Sequence, residues 1–250
     1  MPDALVTALA TDGLAWLLGA IFLCGLVYGF AGFGAALIFQ PLAAVVVAPV
    51  VGIAVLSIAS LGAAAVVLPR ALRQAELAQV GWIIAAAAVS LPAGAWVLVN
   101  ADVTILRWTI SALVGLTLAA MLMGWRRAVT ARPAALAAIG LGAGGIGGAT
   151  GLHGPVVILF TLSGTAPAAV MRANMLVVLT SLGIAMLPVL AAMGHLPGAV
   201  VWLGVLAAPA YMAGIAAGQR AFDPRHERLW RRLGYAVVAA SAVVGLPLWD

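Results

Sequence analysis

The sequence predicts an all-α polytopic membrane protein made of two inverted repeats of five helical elements, each opening with a Gly-rich broken-helix hairpin. Three observations predict it. Apolar runs of about 20 residues, the length that crosses roughly 30 Å of hydrocarbon, recur along a chain of 250 residues that is 65% hydrophobic and 8% charged. The arginines gather mostly in short loops, where they act as topology signals. A Gly-Ala-x5-Pro spelling occurs twice, as "GAALIFQP" (Gly34 to Pro41) and "GATGLHGP" (Gly148 to Pro155).

In chain order, residues 1–12 form an N-terminal tail. It carries Asp3 and Asp12 but no basic residue, so it lacks the positive region of a cleavable signal peptide and the first apolar run is expected to persist. The first transmembrane repeat covers 13–124. It opens with Gly13 to Ala48, too long for one simple span and split by "GFAGFGAALIFQP". Its pieces, Leu14 to Gly29 and Ala35 to Ala48, would run about 20 to 24 Å as helix, short of a full crossing. Spans follow at Val50 to Leu68, Gly81 to Val99 and Ile105 to Gly124. Residues 125–133 are a cytoplasmic linker holding Arg126, Arg127 and Arg132. The second repeat, 134–250, opens with a second divided run, Ala134 to Thr165, and continues with spans at Asn174 to Met193, Ala199 to Gly218 and Gly234 to Trp249.

The arginines decide how the divided runs are threaded. Basic loops stay in the cytoplasm, and those around Arg70 and Arg73, around Arg126 to Arg132, and around Arg220 to Arg232 all fall inside only if Ala134 to Thr165 turns back on itself. The loops at Asp102 and His195 then fall outside. The same hairpin in the first half gives five elements per half, an odd number, so the halves run in opposite directions. Further echoes support a duplication: "ASLG" (Ala59 to Gly62) against "TSLG" (Thr180 to Gly183), Trp82 against Trp202, and Ala93-Gly94 against Ala213-Gly214.

A broken hydrophobic segment at matching places in two inverted halves is the sequence pointer to a secondary transporter's binding site. Unwound backbone survives in a membrane only against protein or a polar cavity. Gly29, Gly32 and Gly34, with Gly145, Gly148 and Gly154, permit positive φ and close ligand approach. Pro41 and Pro155 suit the first turn of a restarting helix. Such a helix presents free N–H groups and its positive dipole end to the break, which favours an anion. The alternative reading of the glycines is close helix packing. Near the breaks the polar candidates are Gln40, Thr150, His153, Arg172 and Asn174, with Ser57, Ser60, Thr180 and Ser181 on the following spans. No Asp or Glu lies within an assigned span, which disfavours a cation pathway built on carboxylates.

Other classes are weaker. The net charge of +5 is explained by loop arginines rather than by nucleic acid. Cys24 is the only cysteine, so there is no disulfide framework, and no residue cluster calls for a metal or other cofactor. An intramembrane enzyme would rest on "TLSGT" around Ser163 or on His153 alone, without the paired base or metal ligands that catalysis needs; no catalytic residue is assigned. A non-transporting scaffold subunit would leave the paired breaks unexplained.

The stretches "GLVYGFAGFGAALIFQPL" and "GLGAGGIGGATGLHGPVV", each opening one half, resemble the paired glycine-rich motifs of the TauE/SafE family of transporters, the sulfite exporters. The resemblance covers essentially the whole chain. It implies passage of small, often sulfur-containing anions such as sulfite, sulfonates or sulfoacetate across a prokaryotic cytoplasmic (inner) membrane. Its motifs usually carry adjacent glycines, whereas Phe33 and Ala35 flank Gly34 here. The partners expected are therefore the anion, the lipid bilayer and a coupling H⁺ or Na⁺; a homo-oligomer is compatible with the sequence but not specified by it.

Overall fold

The computed structural model of the chain describes residues 2–123, 132–161, 166–221 and 227–248. Most of the 125–133 linker, Ser163 of "TLSGT", and Arg225 of the last basic loop lie outside these residues. The described residues hold no strand and fold into α1 (Pro2–Leu9), α2 (Leu14–Ala31), α3 (Ala35–Ala43), α4 (Pro49–Leu72), α5 (Leu77–Asn100), α6 (Val103–Leu122), α7 (Pro133–Thr150), α8 (Gly154–Thr161), α9 (Ala168–Ala192), α10 (Gly198–Ala221) and α11 (Glu227–Val244). Six are long and apolar enough to cross a membrane: α2, α5, α6, α7, α10 and, over Ala169–Ala192, α9. Shorter apolar stretches lie in α4 and α11, at Pro49–Ala65 and Arg232–Val244. The chain is a multi-pass membrane protein. Within the segment read as a tail, α1 lies against α10 with Ala8 buried.

Helix ends follow local chemistry. Pro49 and Pro133 open α4 and α7 at the first turn, where the missing N–H would have had no partner anyway. The Asp102 carboxylate accepts from the N–H groups of Thr104 (2.8 Å) and Ile105 (3.2 Å) and so caps α6. α2 and α7 end alike. The glycine after each is left-handed, with φ +78° at Gly32 and +73° at Gly151, and donates its N–H to the carbonyl four residues back, at Tyr28 (2.8 Å) and Gly147 (2.7 Å).

Two expectations are corrected here. α2 is not a short piece: it runs 18 residues, about 27 Å at 1.5 Å per residue, because the helix continues through Gly29 and stops only at the left-handed Gly32. Its successor α3 is half that, at nine residues. Pro41 is not in the first turn of α3 but in its last, since the helix restarts at Ala35 directly after Gly34. A proline there supplies no N–H to the carbonyl of Leu37, four residues back. Ser241 Oγ of α11 approaches that carbonyl at 3.3 Å, sharing its single proton between Leu37 O and Val238 O of its own helix at 2.8 Å.

Glycines set the closest helix contacts. On α2, a Cβ at Gly25 or Gly29 would strike the carbonyls of Tyr211 and Ile215 of α10; on α10, a Cβ at Gly214 or Gly218 would strike those of Phe22 and Leu26. α7 meets α5 the same way, with Gly140, Gly144 and Gly148 against the carbonyls of Ile83, Ala87 and Leu91. These backbone-to-backbone approaches are what small residues at i, i+4 spacing permit between membrane helices. α4 packs on α9, α3 on α11 and α6 on α8.

Candidate functional site

The two breaks and the helices that follow them line a partly open cavity of about 80 Å³, space for roughly two or three water molecules at about 30 Å³ each. Its wall is built from Gly34, Ala35, Ala36, Leu37 and Gln40 at the start of α3, and from Gly151 to Pro155 across the second break. Ile53, Leu56, Ser57, Ser60, Ala63 and Val67 of α4, Leu179, Thr180 and Gly183 of α9, and Tyr28 and Tyr211 complete it. None of the described lining residues is an Asp, Glu, Lys or Arg.

At α3 the chain supplies donors. The N–H groups of Ala35, Ala36 and Leu37 precede the first bond of the helix, from Ile38 N to Gly34 O (3.2 Å), and no side chain caps them. Gly34 holds φ +91°, and a Cβ on it would meet nothing within 4 Å, so the approach to these donors is open. One turn on, Gln40 is 1% exposed and its Oε1 is buried without a hydrogen-bond partner. A buried amide oxygen in that state is a site awaiting a ligand, a water or a moved neighbour. Its amide also lies against the second break, 2.8 Å from where a Cβ on Gly151 would be.

At α8 the supply is different. Pro155 falls in the first turn and removes one N–H. His153 is 7% exposed, and its Nδ1 lies 3.2 Å from the carbonyl of Ala143 on α7. Gly147 makes this possible: any side chain there would occupy the space of the imidazole.

Of the residues singled out by sequence, Gly34, Gln40, His153, Gly154 and Pro155 meet at the cavity, together with Ser57, Ser60 and Thr180. The others stand elsewhere. Gly29 and Gly148 form the helix contacts described above, and Gly32 gives room to Arg172, whose Nε would be 2.7 Å from a Cβ there. Gly145 sits within α7, with nothing within 4 Å of where its Cβ would be. Pro41 ends α3. Thr150 is buried and serves its own helix end, donating to Ile146 O (2.7 Å) and accepting from Leu152 N (3.2 Å). Arg172, in the first turns of α9, donates from Nη2 to Gly29 O at 3.3 Å, a cation at the negative end of α2. Asn174 accepts from the Glu76 N–H (2.8 Å) and so fixes the start of α5.

Sequence reasoning passed over Tyr28, Tyr211 and Gly151. Tyr28 Oη and Thr180 Oγ1 are 3.4 Å apart across the cavity, and the rings of Tyr28 and Tyr211 lie 6.2 Å apart between centroids. The signal was available: tyrosine in an apolar span brings a hydroxyl that needs a partner. Arg107 was also missed. It lies inside α6 and is only 8% exposed, as a charge within a span is expected to be.

No curated protein and no solved structure matches the chain. A family profile does: that of the sulfite exporter TauE/SafE family aligns with residues 17–245, from the first turn of α2 to just beyond α11. With that match across nearly the whole helical bundle, the chain belongs to the sulfite exporter TauE/SafE family.

Proposed function

We propose that the protein is a secondary transporter that moves a small, sulfur-containing anion (sulfite, a sulfonate or a sulfoacetate-like molecule) across the prokaryotic inner membrane by alternating access. The observation that carries this reading is the uncapped N-terminus of α3, whose three free N–H groups border a partly open, uncharged cavity beside the orphaned amide oxygen of Gln40. Fixed donors without counter-charge suit a small anion that has to leave again. Arg172, outside the cavity wall, would meet that anion as it arrives or leaves, briefly exchanging the neutral carbonyl of Gly29 for a stronger, charged acceptor.

The inverted-repeat reading is supported by helix lengths that recur in order, 18, 9, 24, 24 and 20 residues for α2 to α6 and 18, 8, 25, 24 and 18 for α7 to α11. It is supported too by reciprocal pairing: the first helix of each half packs on the fourth helix of the other. That pairing interlocks the halves. A whole repeat then cannot rock as a unit, and the moving parts are α3 with α4 and α8 with α9, sliding against the glycine-tight pairs.

Flux of sulfite and of sulfonates into proteoliposomes tests the proposal. Saturable flux that Gly34→Leu abolishes is expected. Absence of flux for every anion, or flux indifferent to Gly34→Leu, overturns it.

A further inference from the structure

We propose that His153 Nε2 takes up a proton when the anion binds, so that the two cross together. The inference rests on the transporter reading above and specifies what accompanies the anion. A carbonyl oxygen only accepts, so the contact with Ala143 O assigns a proton to Nδ1. The ring is held in that orientation by Gly147, which leaves it room against α7. Proton exchange is thereby confined to Nε2, on a side chain that lines the cavity.

The surroundings leave His153 as the group suited to this role. The other titratable side chains on the wall are Tyr28 of α2 and Tyr211 of α10, phenols that stay neutral near physiological pH. α3, α5, α7 and α8 carry no charged side chain, and α4 carries Arg70 at its far end. Beyond the wall, Arg172 of α9 is engaged with Gly29 O, and Arg107 lies on α6, which touches α7 and α8. An anion alone at the start of α3 leaves a net negative charge against a largely apolar wall that holds no charged side chain. An imidazolium alone leaves a net positive one. Each state is costly, and the two together neutralise one another. The step balances simply: the Nε2 lone pair accepts a proton from the aqueous side, the new N–H faces the anion, and on release the proton leaves as the anion does. No electron is transferred and no other bond changes.

The test uses the purified full-length protein in detergent, with methanesulfonate and sulfite as probes. Methanesulfonate is the anion of a strong acid, so any proton bound with it is bound by the protein. In weakly buffered solution, wild type should take up about one proton per methanesulfonate bound, and its Kd should rise about tenfold per pH unit on the alkaline limb. Folded His153→Gln should bind with no uptake and a flat pH profile. Gly147→Ala, which dislodges the imidazole while keeping it, should lose uptake as well. Wild-type binding without proton uptake, or uptake that persists in folded His153→Gln, overturns the inference and leaves the transporter reading standing. Failure of both probes to bind at any pH overturns both.

Discussion

A methyl group added at Gly34 would meet nothing within 4 Å, whereas one added at Gly148 would lie 2.5 Å from the carbonyl oxygen of Leu91. The two positions, spelled alike in the sequence, therefore predict opposite outcomes. Gly34→Leu should leave the bundle folded, at a cost of about 1 to 2 kcal/mol for a side chain in left-handed backbone, and should abolish anion binding by filling the approach to the α3 N–H groups. Gly148→Leu should pry α7 from α5 and lose several kcal/mol or folding altogether, since overpacking alone costs about 1 to 3 kcal/mol. Thermal unfolding in detergent beside an anion-binding isotherm separates the two; a Gly148→Leu protein as stable as wild type contradicts the packing argument. Arg172→Gln should weaken anion affinity at least tenfold, and Arg172→Lys should restore part of it, because an ammonium cannot reproduce the guanidinium fork. Equal affinity in all three, in folded protein, would confine Arg172 to holding the end of α2.

Short helices are marginal by themselves, and α3 is held from outside. Trp16 Nε1 of α2 donates to Leu42 O at 2.8 Å, and Ser241 Oγ of α11 shares its proton between Val238 O and the Leu37 carbonyl that Pro41 leaves without an amide. Gly245, just beyond α11, comes close enough to Pro41 that a Cβ there would lie 2.5 Å from the proline ring. The donors at the front of α3 thus depend on anchors at its back. Trp16→Phe and Ser241→Ala should each remove about 1 kcal/mol and speed amide exchange over Ala35–Ala43 more than over α5 or α7. Exchange unchanged in that segment would show that burial alone holds the helix. Pro41 was expected to begin a helix and instead helps end one; its role became visible only with Ser241, some two hundred residues away in sequence.

Across the whole bundle, the loop arginines and the interlocked helix pairs each predict a measurement. In a Cys24→Ser background, single cysteines replacing Asp102 and His195 should react with an impermeant reagent from outside, and one replacing Arg73 only from inside. Reaction of the Arg73 position from outside would reverse or break the inverted threading. For the motion, spin labels on exposed Phe22 of α2 and Met212 of α10 should keep their separation when anion is added. Labels on exposed Leu61 of α4 and Trp96 of α5 should not. A shift in the first pair would mean that a half moves as a body after all.

Local chemistry along the chain was enough to determine the class, the family, the two interruptions and the spans at α5, α6, α9 and α10, because hydropathy, loop charge and glycine content act over a few residues; α2 and α7, expected only as parts of divided runs, are themselves long enough to cross. Gln40 and His153 were legible for the same reason: a polar side chain beside a break has few other uses in hydrocarbon. The register of the breaks was not. The spelled match pairs Gly34 with Gly148, 114 residues apart, while the left-handed glycines that end α2 and α7 are Gly32 and Gly151, 119 apart. Glycine gives one signal in sequence for three conditions: a left-handed turn, a backbone pressed on another helix, and open space for a ligand. Which condition holds at Gly32, Gly148 or Gly34 depends on what stands opposite, on Arg172, on Leu91 or on nothing. Only the packing of distant helices supplies that neighbour, and so only the tertiary structure decided which glycines belong to the cavity.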